Sequence, residues 1–144
     1  MEKQLYLPVF AYGTLMKGWD NYKRYVQPYP HQAIPAETAG ELYHLPMGYP
    51  GLLAGQGPVR GVCLFFPAEV YEQALYGLDD LEAFFGPGDP RNEYERIVVA
   101  VRLDTGEEIR AYAYLFVDEE YARREGKRVI DGDWHAYMCN SERE

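Results

Sequence analysis

Apolar positions along the chain follow two periods. Period-two runs rich in Val, Ile, Tyr and Phe, bounded by Gly, Pro and Asp, predict strands over Leu5–Tyr12, Ala39–Leu45, Gly61–Phe66, Tyr94–Leu103 and Ile109–Val117. In the fourth, Ile97, Val99 and Val101 alternate with Val98, Ala100 and Arg102. Asp104-Thr105-Gly106 then turns the chain into the fifth, so the two form an antiparallel hairpin. The 3.6 period runs from Ala68 to about Phe85, where Val70, Tyr71, Ala74, Leu75, Leu78, Leu81 and Phe85 make one stripe. A shorter helix is expected over Glu119–Glu125, with Asp118 as N-cap and Gly126 as its stop. Segments 19–37 and 86–93 read as mostly irregular, and Gly55–Gly61 as a hairpin connection. The expected class is α+β: a strongly curled sheet or small barrel with one main helix, about 68–85, packed against it.

One residue breaks the helical pattern. Asp79 and Asp80 lie off the apolar stripe and read as solvated acids, but Glu82 falls on the side of Leu75 and Leu78. A carboxylate turned toward the core is costly unless it is hydrogen-bonded or useful. Glu82 is thus either a structural acid held by a Tyr or Arg, or a functional group. Tyr12-Gly13-Thr14-Leu15, after the first strand, is either a plain turn or a nest of N–H groups open to an anion. Gly86-Pro87-Gly88-Asp89-Pro90-Arg91-Asn92 either bounds a pocket or is a surface connection. On their own evidence Tyr94, Tyr112 and Tyr114 are packing residues.

Composition narrows the chemistry. At 144 residues, 47% hydrophobic, the chain makes a single domain over residues 1–144. A net charge of −9 argues against nucleic acid and against a polybasic membrane anchor. No apolar run approaches a membrane span, and the N-terminus reads as a strand rather than a signal peptide. Cys63 and Cys139 are far apart, which suggests a reducing, cytoplasmic setting, with Cys63 a buried inert thiol. His31, His44 and His135 lack zinc spacing. The sole serine is Ser141, so no Gly-x-Ser-x-Gly elbow exists. A phosphate loop is missing, and Gly55-Gln56-Gly57-Pro58-Val59-Arg60-Gly61 departs from the dinucleotide fingerprint. No cofactor and no metal are expected.

Val9-Phe10-Ala11-Tyr12-Gly13-Thr14-Leu15, with Gly18 soon after, resembles the opening of the gamma-glutamylcyclotransferase-like family, with its AIG2-like and gamma-glutamylamine cyclotransferase members. The likeness continues through Gly40-Glu41-Leu42-Tyr43, Gly48-Tyr49-Pro50-Gly51-Leu52-Leu53, Val59-Arg60-Gly61-Val62, Leu78-Asp79-Asp80-Leu81-Glu82 and Tyr94-Glu95-Arg96, to Ile130-Asp131-Gly132-Asp133-Trp134. The resemblance implies a small mixed β-barrel and cofactor-free cyclisation of a γ-glutamyl group to 5-oxoproline, with release of an amine. It implies Glu82 as catalytic acid/base, Tyr12, Gly13, Thr14 and Leu15 as the substrate loop, and Tyr94 as a pocket tyrosine. Ala83 stands where the family usually has Gly, and the 86–92 stretch looks long; both are expected to flank the pocket and bear on substrate size. The chemistry suits the residues present. Ring closure by the substrate's own α-amine needs no enzyme nucleophile, only a base, an oxyanion stabiliser and orientation. Fourteen tyrosines offer apolar walls with hydroxyl tips. Two rival expectations are a non-catalytic small-molecule binding module of the same fold and a structural partner protein. The leaving amine and the oligomeric state are not legible.

Overall fold

The residues described by a computed structural model, 6–15 and 19–143, form six strands and four helices. They are β1 (Val9–Ala11), α1 (Asp20–Tyr25), β2 (Gln32–His44), β3 (Pro50–Phe65), α2 (Ala68–Leu81), β4 (Tyr94–Leu103), β5 (Glu108–Phe116), α3 (Glu119–Glu125), β6 (Lys127–Arg128) and α4 (Trp134–Arg143). Strands pair in the order β3-β1-β5-β4-β2, and β2 meets β3 again, closing a five-stranded barrel to which β6 adds beside β2. Only β1–β5 is parallel, so the barrel is mixed. Closure removes the open edges that a curled sheet would leave.

Locally encoded elements stand where the pattern puts them. β4 and β5 pair from Tyr94–Phe116 to Arg102–Glu108, turning at Gly106 with φ +97°. In α3, the Asp118 side chain accepts from the Tyr121 N–H at 3.1 Å, and Gly126 ends the helix. The long β2 and β3 correct the shorter strands expected at Ala39–Leu45 and Gly61–Phe66. Their Pro, Gly and polar residues hide the alternation, and each is ordered by the other, from Gln32–Phe65 to His44–Pro50. Gly55–Gly61 is not a hairpin connection but part of β3. Gly40 faces Gly57 and Glu41 faces Leu53, so Ala54, Gly55 and Gln56 form a bulge. The connection is Leu45–Tyr49, closed by Leu45 N–H donating to the Tyr49 carbonyl at 2.9 Å. β1 is shorter than Leu5–Tyr12, and Leu5 lies outside the described residues. Helices α1 and α4 arise in segments without a clear period.

Alternate residues of β1 serve two cores. Val9 and Ala11 pack with Tyr71, Ala74 and Leu78 of α2 and with Phe116. Phe10 and Tyr12 pack with Leu42, Val59, Cys63 and Trp134. Each fully buried large aliphatic side chain contributes about 1.5–3 kcal/mol. Cys63 is fully buried, and burial pushes its thiol up to about 12.

Candidate active site

Helix α2 stops at Leu81, not near Phe85. The Phe84 N–H donates to the Asp79 carbonyl at 2.9 Å and the Ala83 N–H to the Asp80 carbonyl at 3.2 Å. This is the Schellman pattern, which requires a left-handed residue just past the cap. That residue is Ala83 at φ +55°, and Glu82 is the cap itself. Glu82 therefore reaches inward from the end of the helix rather than from its stripe. It is half-buried and lines a cavity of about 260 Å³. Burial first, then the charges of Glu93 and Asp79, hold its carboxyl up at about 8. No hydrogen bond from a described side chain offsets that burial.

Tyr12-Gly13-Thr14-Leu15 lines the same cavity. A Cβ on Gly13 would lie 2.5 Å from Cγ of Pro50, so the close approach of the β3 start requires glycine here. Asn21 of α1 donates through Nδ2 to Oγ1 of Thr14 at 2.8 Å and braces the loop. Among the described residues, none accepts a hydrogen bond from the N–H of Gly13, Thr14 or Leu15. Helix α4 supports this end of the molecule. His135 accepts from Nε1 of Trp19 at 2.5 Å, and burial holds its imidazole below the usual range. Gly18, the end of the opening motif, lies outside the described residues.

Four tyrosines complete the walls: Tyr12, Tyr49, Tyr94 and Tyr114. Tyr12 donates to the Tyr114 carbonyl at 2.6 Å and Tyr94 to the Pro50 carbonyl at 2.7 Å. Tyr114 donates to Oδ1 of Asp79 at 2.6 Å, and Tyr49 donates to Oε2 of Glu93. Each hydroxyl proton is thus committed to the protein. The tyrosines can turn only lone pairs toward a ligand, while the loop offers N–H groups. Burial raises all four hydroxyls above the usual phenol range, so they stay neutral. The cavity lining therefore combines N–H groups without a described acceptor at Gly13–Leu15 with tyrosine oxygens and the carboxyls of Glu82 and Glu93.

The site residues singled out from sequence (Glu82, Tyr12, Gly13, Thr14, Leu15 and Tyr94) all line this one cavity. Asp79 corrects its expectation. It is not solvated, because Arg96 donates to its Oδ2 at 2.5 Å and Tyr114 to its Oδ1. The barrel wall comes up against that side of the helix, which helix periodicity alone does not show. Tyr114 is likewise a cavity residue as well as a packing one, while Tyr112 is not among the lining. Ala83 and residues 86–92 do not line the cavity. That loop is latched by Asn92, whose Oδ1 accepts from Phe85 N–H at 2.7 Å and whose Nδ2 donates to the Gly86 carbonyl at 2.8 Å. Sequence reasoning missed Asn21 and Glu93. The only signal for Glu93 was its place directly before Tyr94.

The chain is similar in sequence and in fold to known proteins. The family model for gamma-glutamyl cyclotransferase, AIG2-like, covers residues 9–136. The gamma-L-glutamyl-butirosin B gamma-glutamyl cyclotransferase of Niallia circulans is 33% identical over 138 residues, spanning 95% of this chain and 81% of that protein. Two solved structures share the fold. YkqA from Bacillus subtilis has a TM-score of 0.69 at 22% identity over 96% of this chain, which spans 43% of that protein's length. An AIG2-like protein from Mus musculus has a TM-score of 0.61 at 24% identity, over 77% of each chain. With the family model spanning most of the chain and a named cyclotransferase a third identical to it, the protein belongs to the AIG2-like gamma-glutamyl cyclotransferases and is an enzyme of that type.

Proposed function

We propose that the protein converts γ-glutamyl amides into 5-oxoproline and a free amine, with Glu82 as the acid/base. The observation that carries this reading is one cavity lined by both the Glu82 carboxyl and the Gly13–Leu15 bend, whose N–H groups have no described acceptor. A γ-glutamyl head is a zwitterion. Its α-carboxylate fits the N–H groups of Gly13–Leu15, with Thr14 braced by Asn21. Its α-amine fits Glu82, the carboxyl held near neutrality. Held this way the substrate is bent, and its own amine meets its γ-carbonyl.

The steps balance without any other group. Ionised Glu82 takes a proton from the α-ammonium, and the freed amine nitrogen bonds to the γ-carbonyl carbon, Cδ. The carbonyl oxygen carries the negative charge, within reach of the bend's remaining N–H donors. When the tetrahedral species collapses, the bond to the leaving nitrogen breaks as Glu82 gives it that proton, and the surplus proton of the ring nitrogen follows through Glu82, so that the amine departs as an ammonium. A carboxyl near 8 is suited to both halves, because neither protonation state is scarce near pH 7–8. Ring closure to five members supplies much of the rate once the chain is folded into place. Tyr94 and Tyr12 close the walls against water, and their hydroxyl protons, bound to backbone carbonyls, take no part.

The test is incubation with a panel of γ-glutamyl amines and γ-glutamyl amino acids, assayed for 5-oxoproline. The expected result is turnover of at least one conjugate and its loss in Glu82→Gln. Tight Glu82-dependent binding with no product would instead mark a binding module. Full activity of Glu82→Gln would remove this residue as the base.

A further inference from the structure

The N–H groups of the Gly13–Leu15 bend serve a ligand only if their peptide planes are held in one orientation. Asn21 holds the Thr14 side chain, but a side-chain contact does not by itself set the plane of a peptide. A second handle comes from α4, whose start is pinned to the barrel. The Arg60 N–H donates to the Gly132 carbonyl at 2.8 Å, and Gly132, at φ +72°, has no room for a Cβ beside the Pro58 carbonyl. Asp133 then caps the helix, its Oδ1 accepting from the Ala136 N–H at 3.0 Å. Trp134 is fully buried, and its ring lies 3.8 Å from where a Cβ on Gly13 would stand. Its Nε1 donates to Nδ1 of His44 at 3.1 Å.

His135 comes next, and its two ring nitrogens have different partners. Trp19 packs against Trp134 with ring centroids 4.8 Å apart and gives its Nε1 proton to Nε2 of His135 at 2.5 Å. An indole N–H can only donate, so this Nε2 carries no proton. The imidazole is also hydrogen-bonded to the Gly13 backbone, in the sense that favours a proton on the ring. That partner is therefore an acceptor, the Gly13 carbonyl. With Nε2 taken, the donor is Nδ1, and the neutral ring is the Nδ1–H tautomer.

The peptide bond carries this contact across the bend. The Gly13 C=O and the Thr14 N–H belong to one planar trans unit and point in opposite directions. Holding the oxygen toward His135, which is outside the cavity lining, turns the Thr14 N–H the other way. Gly13 and Thr14 do line the cavity, and that N–H has no described acceptor. We propose that His135 is a positioning residue: through the Gly13 carbonyl it aims the Thr14 N–H into the cavity, where this N–H binds the α-carboxylate of the substrate. The proposal rests on the cyclisation reading above and adds to it a residue outside the cavity lining.

The test is steady-state kinetics of 5-oxoproline release from a conjugate that the wild-type protein turns over. His135→Leu removes both ring hydrogen bonds and should raise KM about tenfold or more, with kcat within about threefold of wild type. His135→Asn keeps an N–H donor at the place of Nδ1 and should bring KM back to within about threefold of wild type. His135→Gln keeps only an acceptor for Trp19, at the place of Nε2, and should leave KM high. An unchanged KM in His135→Leu, or rescue by Gln and not by Asn, overturns the proposal and makes the histidine a packing contact for Trp19. In the wild-type protein, where no variant has to fold, the ¹⁵N shifts of the His135 imidazole should place the proton on Nδ1; a proton on Nε2 overturns the proposal as well. Turnover with a KM indifferent to these substitutions leaves the cyclisation reading standing and removes only the positioning role. No 5-oxoproline from any γ-glutamyl conjugate removes the cyclisation reading and the positioning role with it.

Discussion

Glu82→Gln removes a titrating group while keeping its size. In the wild-type protein the carboxyl is held at about 8, against an ordinary 4.5, by burial and then by Glu93 and Asp79. Between those values the unfolded chain has lost a proton that the folded chain keeps. Stability therefore falls as pH rises through the window, by up to about 1.4 kcal/mol per pH unit, and levels off above the folded value. The ceiling over the whole window is about 4–5 kcal/mol. Glu82 is only half-buried as a residue, and water at the cavity lowers this to about 2–3 kcal/mol. The Gln variant has no such loss. Its stability relative to wild type should rise by that amount from about pH 5 to about pH 9. Urea unfolding followed by tryptophan fluorescence at a series of pH values measures the difference, and titrations elsewhere largely cancel between the two proteins. A difference that is flat with pH, or that narrows as pH rises, refutes the argument and means an ordinary solvated carboxylate. The same substitution should cut cyclisation by about 10²–10⁴-fold. A variant that is more stable in alkali and nearly inactive is the expected signature of an acid kept for chemistry.

Three further substitutions test the supports of the site. Ala83→Gly removes a Cβ from a left-handed position at φ +55°, and should stabilise the protein by about 0.5–1 kcal/mol, a melting rise of about 2–4 °C by calorimetry. Gly13→Ala drives a methyl to within 2.5 Å of Pro50 Cγ. It should raise KM about tenfold or more in the 5-oxoproline assay, as the bend shifts away from the substrate carboxylate. Asp79→Asn breaks a charge-assisted pair whose two side chains are only 20% and 22% exposed, and should cost about 2–3 kcal/mol in urea unfolding.

Legibility in the sequence followed how local each cause is. β4, β5 and α3 were readable because alternation, the Asp104-Thr105-Gly106 turn and the Asp118 cap act within a few residues. β2 and β3 were not, because Gly55–Gly61 and the proline-bearing stretch before Ala39 gain their strand conformation from each other across the barrel. Glu82 was visible as a misfit on an apolar stripe, but its inward aim comes from the Schellman turn at Ala83, a tertiary commitment that a helical wheel does not contain. Asp79 was misread for the same reason, since Arg96 and Tyr114 approach it from β4 and β5. The Tyr12–Leu15 bend was legible only through its resemblance to a family motif. Glu93 carried no periodic signal, and its importance emerges only when β4 brings it to Tyr49 and to the cavity of Glu82.

The most direct test follows the nitrogen. A γ-glutamyl amine labelled with ¹⁵N at the α-position, turned over by the protein, should yield 5-oxoproline with the label inside the ring and an unlabelled free amine, and Glu82→Gln should abolish both. Labelled free glutamate in place of the lactam would mean that water, not the substrate's own amine, attacks the γ-carbonyl, and would contradict the account.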